Sequence, residues 1–398
     1  MMLKRTMIIA LFSVFFAGSV WADAHPPRFV EPQGDGPYLK AVGEIETVFD
    51  WSEDSCDPAH IPDLPTRAFR DADDQIQLIV AHYDTRRMSG PDFDTLTVSC
   101  DLLMRSTGAT DPSLFADKEW ISGLYTEDGK TVHALVHNEF QGNAIGGAVC
   151  PSGEYIKCWY NSITYTRSDN SAASFTRPFD VPDHIVATLP FPYEPDAGVA
   201  GAFSPSNIIK HEGYYYAFFK AQTRPDGDQH VCLMRTQTLD DPGSWVFWTV
   251  FGFDGKFADP YRSDEKVIRQ GQCQAIDLPD IAQMYEGVVW NTALQKFVLV
   301  GTSNDPQLTP NPFGFYYAVS DDLINWERRQ PLLEVRLPWR ARSPVQAVYL
   351  YPTIIDHDSP TRNFETADED MYLYFTRLNK GQSGLDRDLV RVRVEVVK

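Results

Sequence analysis

"SPSNIIKHEGYYYAFFKAQT", Ser204–Thr223, reads as a short apolar strand, a tight turn at Glu212-Gly213 and a second strand dense in aromatic residues. The same order of parts recurs along the chain. "LPTRAFRDADDQIQLIVAHYD" (64–84) repeats it with a longer turn, and "WISGLYTEDGKTVHALVHNE" (120–139) repeats it with Asp128-Gly129, a strong hairpin signal. "YEGVVWNTALQKFVLVGTSN" (285–304) is a fourth copy, and "YPTIIDHDSPTRNFETADEDMYLYFTRLN" (351–379) a fifth with a polar insertion in its turn. The copies lie roughly 55–85 residues apart, a spacing that suits four-stranded blades with variable loops.

The segments after each copy supply a second pair of strands: "TLTVSCDLLMRS", "SITYTRSDN", "HVCLMRTQTLDDPGSWVFWTV" and "GFYYAVSDDLINWERR". The fifth copy is followed only by "LVRVRVEVV", and "AVGEIETVFDW" (41–51) is the candidate for its missing strand. Helical periodicity is nearly absent, so the fold class is all-β. The expected architecture is a five-bladed β-propeller closed by an N-terminal strand in the last blade. β-Sandwiches built from similar hairpins are the alternative.

Lys4 and Arg5, the apolar run "MIIALFSVFFAGSV" and the small residues of "WADA" have the layout of a signal peptide, with cleavage after Ala22 or Ala24 fitting equally well. Residues 1–24 are therefore read as a signal peptide, and 25–398 as one domain, because no linker or composition break divides them. The expected location is periplasmic or secreted. The net charge of −20 argues against nucleic acid and membrane partners and favours neutral or cationic ligands. The oligomeric state is not readable. Six cysteines in an exported chain point to disulfides. Cys150 and Cys158 flank the turn-rich "PSGEYIK" and are paired on that ground; the other four admit more than one pairing.

Aligning the copies stacks His82, His137, Lys220, Thr302 and Thr376 in one column at the ends of the second strands. Two residues on come Asp84, Glu139, Gln222, Asn304 and Leu378, on the same side by strand alternation. First-strand starts add Asp63, Arg67, Glu119, Ser204, Asn207, Glu286 and Tyr351, and Trp120 begins a first strand where it can line a site. A rim of carboxylates, His, Arg and aromatics suits carbohydrate, which is held by hydroxyl hydrogen bonds and ring stacking and is cleaved by paired carboxyls.

"PSNIIKHEGYYYAFF" and the "S-x-D-x-x-x-W" pattern in "FYYAVSDDLINWERR" resemble the five-bladed furanosidase superfamily, which includes arabinanases and xylosidases (glycoside hydrolase family 43), invertases and levansucrases. The resemblance covers roughly residues 50–398 as architecture. It implies a base, a pKa-tuning Asp and a Glu acid at the first-strand starts of three successive blades. Asp63 in "PDLPTRAF" matches the first position, with Leu64 before Pro65; Ser122-Gly123-Leu124 and Ser204-Pro205 carry no acid at the other two. The implied function is glycoside hydrolysis, with Asp63 as base or nucleophile and Glu139 or Glu286 as acid. Arg67, His82, Asp84, Trp120, His137, Asn138, Asn207 and Lys220 are the expected substrate-binding residues. A non-catalytic glycan- or partner-binding propeller is the second reading. The third is a metal-assisted hydrolase or lyase, with His82 and His137 beside Asp84 and Glu139. No cofactor is required; a divalent cation, calcium or zinc, is allowed, but no metal-ligand motif is present.

Overall fold

The computed structural model describes residues 26–32, 36–224, 227–268, 271–343 and 346–398. The expected signal segment lies outside them. The described residues are strand-rich, with α-helices of only four residues each, at Trp51–Asp54, Gly142–Ile145, Glu265–Ile268 and Leu278–Ile281.

Strand pairing groups into five successive antiparallel repeats. The first is Arg67–Arg70, Ile76–Val80, Asp84–Gly90 and Thr97–Arg105; the second is Lys118–Tyr125, Val132–Gln141, Trp159–Ser168 and Ile185–Ala187. The third begins with Ala200–Pro205 and continues through Tyr214–Gln222, Gln229–Thr236 and Val246–Thr249. The fourth is Gly287–Asn291, Lys296–Asn304, Phe313–Ser320 and Gln330–Glu334. Val348–Ile355, Asp370–Leu378 and Arg387–Val397 form the fifth, and the N-terminal strand Tyr38–Phe49 pairs antiparallel with the last of these. In the first repeat the third strand is Asp84–Gly90, upstream of the "TLTVSCDLLMRS" segment expected to hold both outer strands. Arg86 and Arg87 lie on this strand, and Arg86 pairs with Asp57.

The strands are buried on both faces because an apolar layer separates each repeat from the next. Phe69, Leu103, Ile121 and Val136 fill the layer between the first and second repeats. Leu135, Ile163, Phe219 and Phe247 fill the next, and Phe218, Leu233, Phe297 and Trp326 the one after. Val298, Phe315, Phe375 and Val392 join the fourth repeat to the fifth. Phe49, Leu78, Val80, Ile355 and Tyr374 join the fifth back to the first. Adjacent residues of one strand, such as Phe218 and Phe219, serve different layers, as the two-residue period requires. This explains "GYYYAFF": its aromatics are interlayer core.

The first strands converge on Arg67. Its Nε donates to Ser122 O (2.7 Å) and its Nη2 to Glu286 O (2.7 Å) and Pro205 O (3.5 Å), while Nη1 donates to Thr353 Oγ1 (3.0 Å). Each of these partners belongs to, or directly precedes, the first strand of a different repeat. Close approach demands a small residue here, since a Cβ on Gly287 would lie 2.7 Å from Thr353 Oγ1. Asn207 adds a two-way clamp, donating to Val288 O (2.7 Å) and accepting from Val288 N (2.8 Å).

Three disulfides use all six cysteines: Cys56–Cys100, Cys150–Cys158 and Cys232–Cys273. The Cys150–Cys158 pairing is the one expected from sequence. The "S-x-D-x-x-x-W" stretch is a side-chain-built turn: Ser320 Oγ accepts from Asp322 N and Leu323 N, and Asp322 Oδ1 accepts from Ile324 N and Asn325 N.

Two measurements check this description. Arg67→Met should strip hydrogen bonds from buried carbonyls of several repeats, at about 1–3 kcal/mol for each orphaned group; thermal unfolding should show a Tm loss far larger than for an exposed Arg→Met change. His357 is stacked between Phe93 (4.3 Å) and Tyr372 (4.0 Å), and burial, reinforced by Arg391, lowers its pKa to about 4. The fold therefore favours the neutral imidazole. That stabilisation is complete above the unfolded value of about 6.5 and is lost as pH falls toward 4. Tm should drop across that window, and His357→Gln should flatten the drop.

Candidate functional site

Two connected cavities, of about 690 and 600 Å³, share the lining residues Asp63, Trp120, Glu139, Trp159, Leu350 and Tyr351. The outer one adds His82, Gln141, Tyr155 and Arg387, and the inner one His137, Phe203, Lys220, Tyr285, Glu286 and Thr302. Together they form a funnel with aromatic walls and a dense set of polar and charged groups.

Asp63 precedes the first strand of the first repeat, and its N–H donates to Ala81 O (3.0 Å). Its Oδ1 contacts Arg387 Nη1 and accepts from the Tyr351 hydroxyl (3.3 Å), and its Oδ2 lies 3.8 Å from His82 Nε2. His82 Nδ1 faces Ala59 O at 2.8 Å, so the ring proton belongs on Nδ1 and the Nε2 lone pair faces the site. Burial lowers the His82 pKa, which favours that neutral form. Tyr351 holds its phenol at Asp63 from a left-handed backbone (φ +62°), an unfavourable conformation for an aromatic residue and of the kind retained at working sites. Burial, with Asp63 as the next cause, raises its pKa.

Glu139 stands near the end of the second strand of the second repeat. Its Oε1 lies 3.2 Å from His137 Nε2, and its Oε2 accepts from Gln141 Nε2 (2.8 Å) and the Tyr155 hydroxyl (3.1 Å). Tyr155 reaches it from the loop closed by Cys150–Cys158 and stacks on Trp159 at 4.8 Å. His137 Nδ1 and Trp120 Nε1 are buried without a hydrogen-bond partner, and their rings lie 5.5 Å apart.

Glu286 is deeper. Its Oε1 accepts from Thr302 N (3.0 Å) and Thr302 Oγ1 (2.6 Å), its Oε2 from Tyr285 N (3.0 Å), and burial raises its pKa. The carboxylate fits only because residue 301 is glycine: a Cβ there would lie 2.3 Å from Glu286 Oε2.

Seven of the residues expected from sequence thus meet in the funnel: Asp63, His82, Trp120, His137, Glu139, Lys220 and Glu286. Four do not line it. Arg67 is bound to carbonyls of the first strands, and Asn207 is clamped to Val288. Asn138 accepts from Asp117 N (3.0 Å) and donates to Ser162 Oγ (2.9 Å), and Asp84 faces Arg105 at 3.3 Å. Sequence reasoning missed Tyr155, Trp159, Trp339 and Arg387. The first two flank Cys158, so the short disulfide loop was the signal that could have found them.

The metal reading finds no donor set at its histidines. Among the described residues, the groups of three or more candidate ligands are His230–Cys232–Cys273 and Cys150–Cys158–Asp196, and in both the cysteines are joined as disulfides. Asp84 points to Arg105 rather than joining His82.

No protein-family model matches the chain, and no curated protein matches it in sequence. Solved structures are similar to it at low identity. The catalytic domain of a GH62 α-L-arabinofuranosidase from Coprinopsis cinerea shares 9% identity at a TM-score of 0.46, covering 87% of this chain and 95% of that one. A protein of unknown function from Dyadobacter fermentans shares 11% at 0.47, covering 91% and 100%. An α-L-arabinanase from Cellvibrio cellulosa shares 12% at 0.42, covering 79% and 87%.

Gly301→Ala tests the seat of Glu286. The added methyl should displace that carboxylate and cost about 1–3 kcal/mol, as overpacking does, read as a lower denaturant midpoint with an unchanged m value.

Proposed function

We propose that this chain is an exported five-bladed β-propeller, closed by Tyr38–Phe49, whose funnel binds carbohydrate and cleaves a glycosidic bond. The five repeats, the apolar layer joining the fifth to the first, and the convergence on Arg67 support the architecture. The signal-like N-terminus and three disulfides support export to an oxidising compartment.

One observation carries the activity: Asp63 and Glu139, from adjacent repeats, line both cavities amid Trp120, Trp159 and Tyr351. Sugar rings stack on such walls, and hydrolysis needs one carboxyl to protonate the leaving oxygen and another to assist the attack on carbon. Glu139 takes the acid role: it lines both cavities beside Asp63, and as the acid it carries a proton on its carboxyl. As the C–O bond breaks, that proton passes to the leaving oxygen. With Asp63 as base, water bonds the anomeric carbon and its proton goes to Asp63; with Asp63 as nucleophile, its carboxylate bonds that carbon first, and water, losing its proton to Glu139, then displaces it. Glu286 lines only the inner cavity, away from the outer wall that Asp63 and Glu139 share, and shapes that cavity.

Binding without turnover is the second reading, favoured by the protein donors that already occupy both oxygens of Glu139. The two separate in a screen of arabinan, xylan and fructan oligosaccharides. Asp63→Asn should lower turnover by about a hundredfold or more with ligand affinity retained. Binding with no hydrolysis of any bound glycan by the unmodified protein would establish the second reading.

A further inference from the structure

Among the described residues, Lys220 is the cation that lines the inner cavity without a carboxylate partner. It lies on the second strand of the third repeat, half-buried in the wall of the inner cavity, with Nζ 4.4 Å from the centroid of the Phe203 ring. Among the described residues its ammonium has no hydrogen bond and no carboxylate within ion-pair distance, although Glu286 lines the same cavity. The Glu286 oxygens are held by Thr302 and Tyr285 instead. Arg67 brings a second buried cation to the Glu286 and Pro205 carbonyls, and it too contacts only neutral acceptors. Of the carboxyls lining the inner cavity, Asp63 pairs with Arg387, Glu139 faces His137, Gln141 and Tyr155, and Glu286 is held by neutral donors, so none pairs with Lys220. Burial moves Glu286 and Lys220 toward their neutral forms, raising the Glu286 pKa and lowering that of Lys220. Such a cation is costly unless something pairs with it, and the cation–π contact with Phe203 is a weak substitute.

We propose that Lys220 receives an anionic group of the sugar, the carboxylate of a uronic acid residue, in the inner cavity beside Ser204, Gln229 and Thr302. This rests on the carbohydrate reading above and narrows it to acidic glycans. A single free ammonium matches a singly charged group. The carboxylates of Asp63, Glu139 and Glu286 around the same cavities disfavour a doubly charged one such as phosphate.

The test is calorimetric titration of the full chain with trimers of galacturonate and mannuronate, the neutral galactose and mannose trimers, and a sulfated galactose trimer. A uronate trimer should bind at least about tenfold more tightly than its neutral counterpart, the lower range for a charge-assisted hydrogen bond. Lys220→Met should erase that preference, and Lys220→Arg should keep part of it. If neutral and acidic trimers bind equally, the uronate assignment falls and the carbohydrate reading stands. If no trimer binds, the uronate assignment falls, and the carbohydrate reading is decided by the arabinan, xylan and fructan screen. Tighter binding of the sulfated trimer overturns the carboxylate assignment, and a preference that survives in Lys220→Met removes Lys220 from it. Should Lys220→Met not fold, Lys220→Gln gives the same neutral readout.

Discussion

The guanidinium of Arg67 stands where the first strands of all the repeats come together, and the placement of the funnel follows from it. Strands that converge toward one axis leave inward carbonyls with too little room for water and no neighbouring strand to pair with. Unsatisfied buried carbonyls are expensive. A planar group with five donors can serve several at once, which an ammonium on a flexible stem cannot. Arg67 does so for Ser122, Pro205 and Glu286, and reaches the Thr353 hydroxyl as well. The same bonds position the site: Ser204 adjoins one bonded carbonyl, Glu286 supplies another, and Asp63 lies four residues upstream of Arg67 itself. Burial lowers the Arg67 pKa to about 9, so it stays charged at neutral pH.

Much of this architecture is legible in the sequence because packing imposes a local signal. Each second strand lies between two apolar layers, so both faces are apolar and the run reads as continuous: "GYYYAFF" and "KFVLVG" differ in residues but share that demand. The turns are local as well, with Asp128 accepting from the N–H groups of Lys130 and Thr131. The pairing of Tyr38–Phe49 with Arg387–Val397 joins opposite ends of the chain. It could be anticipated only because the fifth copy lacked a strand.

The site was partly legible for the same reason. Alternation fixes the side on which a side chain emerges, so aligning second-strand ends gathered His82, His137, Lys220 and Glu139 correctly. It does not fix depth, nor what stands opposite. Thr376 belongs to the same column yet is fully buried away from both cavities, and Asp84 is drawn off by Arg105. Arg67 and Asn207 misled because a polar residue at a strand start serves a neighbouring repeat as readily as a ligand, and the partners that decide it lie tens to hundreds of residues away. Cys56–Cys100 and Cys232–Cys273 were unreadable on the same ground: each spans more than forty residues, with separations of 44 and 41. Cys150–Cys158 closes a short turn-rich loop, and local chemistry suffices to pair it.

Charge shows how a whole-chain property and a site can disagree. A net charge of −20 repels anions at a distance, and composition alone argues for neutral or cationic ligands. That repulsion is screened beyond a Debye length of about 8–10 Å, so it acts on the approach of a ligand more than on its bound state. Within the inner cavity the nearest fixed charge without a counterpart is an ammonium, and low-dielectric walls of Phe203, Trp120 and Trp159 strengthen its field. An acidic sugar would then be captured slowly and held firmly, and added salt would speed its association while weakening the complex only modestly. Arg67 and Glu286 are fixed by neutral partners, whereas among the described residues the Lys220 ammonium has only the Phe203 ring beside it.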